Sequence, residues 1–168
     1  LSLCVKRSGA DIGFAQDPDA DRLAIVTEKG EPLNGEYTLA LAVQLILSQT
    51  KTPVVVNLTT SRMVETLCRR KGAKVYYSKI GERHVVEKMK RIRALIGGEG
   101  NGGVIYPKIN PARDSVVGMG LLLECLSRSQ KPVSQLVKEL PRYVMVQKKL
   151  TLSKERSRTF LERLPRRF

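Results

Sequence analysis

The stretch Gln16-Asp17-Pro18-Asp19-Ala20-Asp21-Arg22 sets three carboxylates on alternate residues, directly after the apolar run Ile12-Gly13-Phe14-Ala15. Carboxylates held a few ångströms apart raise one another's pKa unless a cation or a fixed arginine sits among them. An oxygen-only donor set suits a hard ion, with Mg²⁺ first and Ca²⁺ or Mn²⁺ behind it. Arg22 adds a planar fork suited to phosphate. Metal plus phosphate is the first chemistry the stretch suggests, and three other readings stand beside it. Asp17, Asp19, Asp21 and Glu28 fall at EF-hand loop positions one, three, five and twelve. Position six of such a loop needs a turn-forming Gly and here is Arg22, and the flanks read as strands rather than helices. A phosphatase-like Asp-x-Asp pair would make Asp17 a covalent phosphoryl acceptor but leaves Asp21 without a role. An acidic surface turn needs no chemistry at all.

A second stretch, Ile96-Gly97-Gly98-Glu99-Gly100-Asn101-Gly102-Gly103-Val104, gathers five glycines around one Glu and one Asn. Its backbone can approach a ligand closely while two polar side chains point at it. It matches neither a P-loop nor a dinucleotide fingerprint, so a flexible structural loop is the alternative reading.

Together these residues carry a resemblance. Phe14-Ala15-Gln16-Asp17-Pro18-Asp19-Ala20-Asp21-Arg22 resembles the metal-binding loop of the α-D-phosphohexomutase family, and Gly98-Glu99-Gly100-Asn101-Gly102-Gly103 resembles its sugar-binding loop. Between them, the segment from Lys79 to Met89 resembles a substrate-specificity loop that enters a helix. The three occur in the family's order, and the resemblance runs from about Gly9 to Leu140. Their wording is most similar to the phosphoglucosamine mutase branch, then to phosphomannomutase/phosphoglucomutase. Two positions depart from the pattern: Asn101 stands where many members have Ser, and Gly103 where many have His.

The resemblance implies phosphoryl transfer between C6 and C1 of a hexose phosphate, through a phosphoserine and a hexose bisphosphate intermediate. Glucosamine phosphate is the favoured sugar. In that scheme Asp17, Asp19 and Asp21 hold Mg²⁺, and Arg22 is the catalytic contact to the phosphoryl group. Glu99 and Asn101 bind sugar hydroxyls, and Lys79, Gly81 and Arg83 complete the substrate contacts. Surface placement is the alternative for Lys79 and Arg83, and a structural role for His84. The family's phosphoserine loop and its phosphate-clamping Arg-x-Ser-Gly-Thr-like loop have no counterpart in this sequence. The expectation is a partial chain: 1–34 the end of the second family domain with the metal loop, 35–140 the third with the sugar loop, and 141–168 a linker and basic stub of the fourth. Its partners would be a hexose phosphate, the bisphosphate and the remaining domains, and alone it would be inactive.

Composition bounds these readings. A chain of 168 residues that is 42% hydrophobic can bury a real core, and no apolar run approaches the length that spans a membrane. No signal peptide is visible, and Cys4, Cys68 and Cys125 are odd in number and widely spaced. Buried reduced thiols in a cytoplasmic protein fit that pattern better than a disulfide scaffold. The net charge of +14 is concentrated late: residues 141–168 hold nine Lys or Arg against two Glu. Such a tail could bind nucleic acid, the runner-up function, or an anionic surface. It lacks the interleaved aromatics of a stacking surface, so nucleic acid and membrane are not the favoured partners.

The elements that must position the two loops are legible from periodicity and punctuation. The sequence predicts a helix over Leu1–Arg7 stopped by Gly9, then strands over Asp11–Ala15 and Leu23–Thr27 on either side of the acidic loop. Pro32–Gly35 is the expected domain boundary. Helices are predicted over Glu36–Ser48, from a Thr60 or Ser61 cap to Lys71, from Gly81 to Arg91, over Ser115–Ser127 and over Val133–Leu140. They alternate with strands at Val54–Val56, Ala73–Tyr77, Ala94–Ile96 and Val104–Tyr106, with Pro107–Arg113 expected as a loop. This alternation predicts an α/β fold with a mixed, largely parallel sheet flanked by helices, whose strand ends carry the ligand loops.

Overall fold

The computed structural model describes residues 1–146 and 151–163. A first helix, α1 (Ser2–Ser8), ends where Gly9 turns left-handed at φ 64°, as its position after a basic last turn predicts. Strands β1 (Ile12–Gln16) and β2 (Leu23–Thr27) then pair antiparallel with Gln16 opposite Leu23, so residues 17–22 form the connection at the end of a ribbon. A short β3 (Pro32–Leu33) lines the other edge of β2 and completes a three-stranded sheet.

The rest builds one α/β/α unit. In chain order it comprises α2 (Gly35–Gln49), β4 (Val54–Asn57), α3 (Arg62–Arg70), β5 (Val75–Ser78), α4 (Glu82–Ile92) and β6 (Ile96–Glu99). There follow β7 (Gly103–Tyr106), β8 (Asn110–Arg113), α5 (Ser115–Ser129) and α6 (Val133–Glu139). The strand order is β5-β4-β6-β7-β8, with β4 parallel to both neighbours and β7 antiparallel to both of its own. Four strands therefore run one way and β7 runs against them: a mixed sheet, flanked by helices.

Alternation along β4 sorts the layers. Val54 and Val56 join α2, α3, α5 and α6 in the main core, while Val55 faces Val85 and Met89 of α4 on the other side. Apolar almost all round, α2 is accordingly buried at Leu39, Leu41, Val43 and Leu45 and forms the middle of that core. From the N-terminal ribbon, Leu23 and Ile25 are fully buried in the same cluster.

Two expectations need correction. Pro107–Arg113 is not all loop, because β8 forms there at the sheet edge. Pro111 is tolerated on that edge strand, where a missing N–H breaks no central ladder. Cys4 is exposed, since α1 buries only Val5; Cys68 and Cys125 are buried as expected, and burial pushes the Cys68 thiol up to about 12. The charged C-terminal stretch contains a helix, α7 (Lys154–Arg163), held by polar i,i+4 contacts such as Arg158–Glu162 at 3.1 Å. The portions of the basic stub at 147–150 and 164–168 lie outside the described residues.

Candidate active site

The acidic loop is folded by its own side chains. Asp17 Oδ1 accepts the backbone N–H groups of Arg22 at 3.0 Å and Asp21 at 3.2 Å, curling the segment so that the three carboxylates converge. One oxygen from each of Asp17, Asp19 and Asp21 lies within 4.8 Å of the others. Ala20 takes a left-handed φ of 56° at the apex, and its carbonyl accepts both Ser115 Oγ at 2.6 Å and Ser115 N at 3.1 Å. Gln16 Nε2 donates to the same hydroxyl at 2.6 Å. The loop is therefore fastened to the start of α5.

Electrostatically the triad is half-compensated. Arg22 Nε lies 3.0 Å from Asp17 Oδ2 and 3.3 Å from Asp21 Oδ1, so a guanidinium occupies the gap a cation would fill. Burial would raise the Asp17 carboxyl, but the Arg22 N–H and guanidinium carry it below the usual range. Asp21 goes the other way: burial, with the neighbouring Asp19 and Asp17 charges, lifts it against the pull of Arg113 and Arg22. A hard divalent cation fits this donor set, which is all oxygen, closely grouped and only partly offset by Arg22.

Glu99 is not on a mobile loop. It ends β6, is 4% exposed, and each of its oxygens has protein partners. Oε1 accepts from Asn57 Nδ2 at 2.7 Å and from Gly81 N at 3.0 Å; Oε2 meets Arg113 Nη1 at 2.6 Å. Asn57, at the end of β4, is itself braced by the Thr59 and Thr60 hydroxyls at 3.1 and 2.8 Å. Asn101 stands exposed on the turn after Glu99, with Oδ1 accepting from Gly103 N at 3.2 Å.

Arg113, which sequence reading left in a loop, joins the two halves. Its guanidinium pairs with Asp21 through Nη2 and with Glu99 through Nη1, while Nε lies 3.5 Å from Glu82 Oε2. Its backbone N–H donates to Glu82 Oε1 at 2.8 Å. No local motif marks Arg113; the one signal was a cation two residues after Pro111 and two before Ser115. The acidic and Gly-rich loops also touch directly, as Leu23 N donates to Gly102 O at 3.2 Å and a Cβ on Gly102 would collide with Leu23 O.

The third segment is placed unevenly. Gly81, with φ 111°, caps α4 and reaches Glu99 through its N–H. Lys79 is exposed, and Arg83 is an exposed surface residue paired with Glu87 at 2.8 Å. The structure thus brings Asp17, Asp19, Asp21, Arg22, Glu99 and Gly81 into one connected cluster through Arg113. It gives Lys79 and Arg83 no bond to that cluster among the described residues. Also among the described residues, no helix is long and apolar enough to cross a membrane.

Comparison with known proteins gives the family of the fold. Residues 34–143 match the family described as phosphoglucomutase/phosphomannomutase, alpha/beta/alpha domain III. A phosphoglucomutase/phosphomannomutase of Thermococcus kodakarensis is 37% identical over 140 residues, covering 83% of this chain and 31% of the relative. A phosphoglucosamine mutase of Nitratidesulfovibrio vulgaris is 33% identical over 139 residues, covering 81% and 31%. Among solved structures, a phosphoglucomutase/phosphomannomutase family protein of Burkholderia thailandensis superposes with TM-score 0.75 at 29% identity, covering 84% of this chain and 31% of that one. The N-acetylphosphoglucosamine mutase of Aspergillus fumigatus, in complex with GlcNAc-6P and magnesium, shares the fold at TM-score 0.60 and 16% identity, covering 76% and 32%. The chain belongs to the α-D-phosphohexomutase family. It spans about a third of the length of the curated relatives it matches.

Proposed function

We propose that this chain supplies the metal-binding and sugar-binding loops of a phosphohexomutase that moves a phosphoryl group between C6 and C1 of a hexose phosphate, with glucosamine phosphate the favoured substrate. The observation that carries the reading is the bridge from Asp21 through Arg113 to Glu99, which binds a cation-ready carboxylate cluster to a carboxylate at the mouth of an α/β sheet. Mg²⁺ held by Asp17, Asp19 and Asp21 would neutralise charge on the phosphoryl group during transfer. Arg22, exposed beside the triad, swings to the phosphoryl oxygens. Glu99 and Asn101 accept and donate to sugar hydroxyls, with Arg113 holding Glu99 in register. Gly81, and through it the start of α4, sets the floor of the sugar site, with Lys79 and Arg83 at its rim.

On this reading residues 1–34 close a second domain, 35–140 form the third, and 141–168 lead into a fourth, and the phosphoserine donor is carried by a domain outside this chain. A cytoplasmic location fits a soluble sugar-phosphate substrate. The test is steady-state turnover by the full-length protein on glucosamine, mannose and glucose 6-phosphates with Mg²⁺ and the matching bisphosphate. Turnover of glucosamine 6-phosphate at least tenfold faster than the others, by kcat/KM, is expected, a factor of about 1.4 kcal/mol in transition-state binding. Equal rates on glucose and mannose phosphates would move the assignment to phosphomannomutase/phosphoglucomutase, and no turnover of any hexose phosphate would overturn it.

A further inference from the structure

Glu36 lies in the first turn of α2, yet the residue is only 7% exposed. Its N–H is capped by Asn34 Oδ1 at 3.1 Å, and an acid in this first turn suits the positive end of α2. The carboxylate then reaches a second helix. Both oxygens accept the N–H of Ser61, at 3.0 and 3.1 Å, and Ser61 is the residue that caps α3. The other side of the carboxylate lies against the Gly-rich turn: a Cβ on Gly100 would collide with Glu36 Oε1. Gly35 is pressed as closely on the peptide joining Asn101 to Gly102. The first two residues of α2 therefore carry the turn that follows Glu99 and bears Asn101. Gly100 is glycine here because a carboxylate occupies the space of its side chain.

We infer that Glu36 is a positioning residue: its carboxylate clamps the start of α3 against Gly100 and so fixes where Glu99 and Asn101 stand. This rests on the reading of those two as sugar-binding groups. Burial raises the Glu36 carboxyl to about 7, against the downward pull of the Ser61 N–H. Near neutrality it therefore changes between a charged acceptor, which holds that N–H strongly, and a neutral one that holds it less. The packed elements carry few charges at this end of α2. On β6 there is Glu99, tied to Arg113 from β8; on α3 there are Arg62 and Glu65, paired at 3.1 Å, with Arg69 and Arg70 in its last turn. On α5, Glu124 and Arg128 sit near the far end of α2, where Gln49 meets Glu124 at 2.8 Å. Arg22 precedes Leu23, the residue bonded to Gly102.

Amide spectra of this chain, recorded from about pH 5 to about pH 9 to bracket the Glu36 carboxyl, test the clamp. The Ser61, Gly100 and Asn101 amides are expected to titrate together with a midpoint near 7, and to lose that step in Glu36→Gln. A step at Ser61 without one at Gly100 and Asn101, or a step that survives Glu36→Gln, would overturn the inference. In the full-length protein, Glu36→Gln is expected to raise KM for hexose phosphate about tenfold above neutrality while its melting temperature does not fall. Glu36→Asp, one methylene shorter, should recover part of the loss. An unchanged KM in an active enzyme would equally overturn it. A full-length protein that turns over no hexose phosphate would defeat the proposed function, whereas the amide titration would still decide whether Glu36 sets the turn.

Discussion

Arg113 Nη1 lies 2.6 Å from Glu99 Oε2, with the arginine side chain 15% and the glutamate side chain 5% exposed. An ion pair this deep contributes less by attraction than its breaking costs, because whichever partner is left behind is a desolvated charge. Arg113→Met should therefore destabilise the chain by about 3 kcal/mol, with Glu99 stranded and Asp21 released. Urea unfolding monitored by circular dichroism measures it, and a loss under about 1 kcal/mol would mean that the bridge does not organise the site. For the same reason Glu99→Ala in the full-length protein should lower the melting temperature as well as kcat, since it strips Asn57, Gly81 and Arg113 of one acceptor at once.

The acidic loop separates roles by residue. Asp17 accepts two backbone N–H groups and holds the loop's shape, whereas Asp19 is exposed. Asp19→Asn should weaken Mg²⁺ binding by about tenfold, one hard ligand charge, with unfolding unchanged. Arg22→Gln should do the reverse and tighten Mg²⁺ binding several-fold, because it removes the guanidinium that now lies between Asp17 and Asp21. Calorimetric titration of the three chains ranks them. An order in which Arg22→Gln binds no more tightly than the native chain would show that Arg22 does not compete for the cation's place.

Much of this was readable from residue order, and what was missed has physical reasons. Asp17, Asp19 and Asp21 announce themselves because alternate carboxylates after an apolar run are costly to gather unless positive charge sits among them. The α/β alternation is equally plain: Ser61, Gly72 and Gly81 punctuate helices at places the structure confirms. Arg113 was hidden because β8 is an edge strand with a proline in it, so its local pattern is that of a loop. Its meaning comes from pairings 92 and 14 residues away in sequence, with Asp21 and Glu99. Glu99 was misplaced for a related reason. Glycines on both sides suggest mobility, whereas Gly98 and Gly100 are small because neighbours press on them: Gly103 O on one and the Glu36 carboxylate on the other.

Glu36 gives the stability a defined pH slope. Its carboxyl is raised from 4.5 to about 7 by burial, so the folded chain keeps a proton that the unfolded chain releases between those values. Its contribution to stability is full below the unfolded value, falls as pH rises through the folded one, and is level above it. Glu28 and Asp114 act in the opposite sense. Burial raises Glu28 but Ser134 overrides it; the Asn110 side chain, then the Val117 N–H, lowers Asp114 against burial. The stability these two add is lost as acid protonates them. Comparing native chain with Glu36→Gln cancels those terms. The variant should gain on the order of 3 kcal/mol relative to the native chain between about pH 4.5 and pH 8. Urea midpoints at the two pH values decide it, and a gap that does not change with pH would remove the raised Glu36 carboxyl from the account.

The 168-residue chain by itself should show no mutase turnover, even with Mg²⁺ and a hexose bisphosphate. A triad of carboxylates, two arginines and a Glu proposed to bind sugar hydroxyls can orient a phosphoryl donor and neutralise its charge. They cannot replace it, since transfer through a bisphosphate needs a group on the protein that is phosphorylated between the two half-reactions. Asp17 is the one side chain of the loop that a phosphatase-like mechanism would recruit. Its oxygens, however, are spent on the N–H groups of Arg22 and Asp21 and on the Arg22 guanidinium, which leaves it poorly placed to attack phosphorus. Incubation with bisphosphate labelled on phosphorus, followed by an acid quench, separates the cases. Unlabelled protein, with turnover appearing when the rest of the family's domains are supplied, is the expected outcome; acid-stable label on Asp17, or turnover by this chain alone, would place the nucleophile in the acidic loop and overturn the assignment of Asp17 to metal binding.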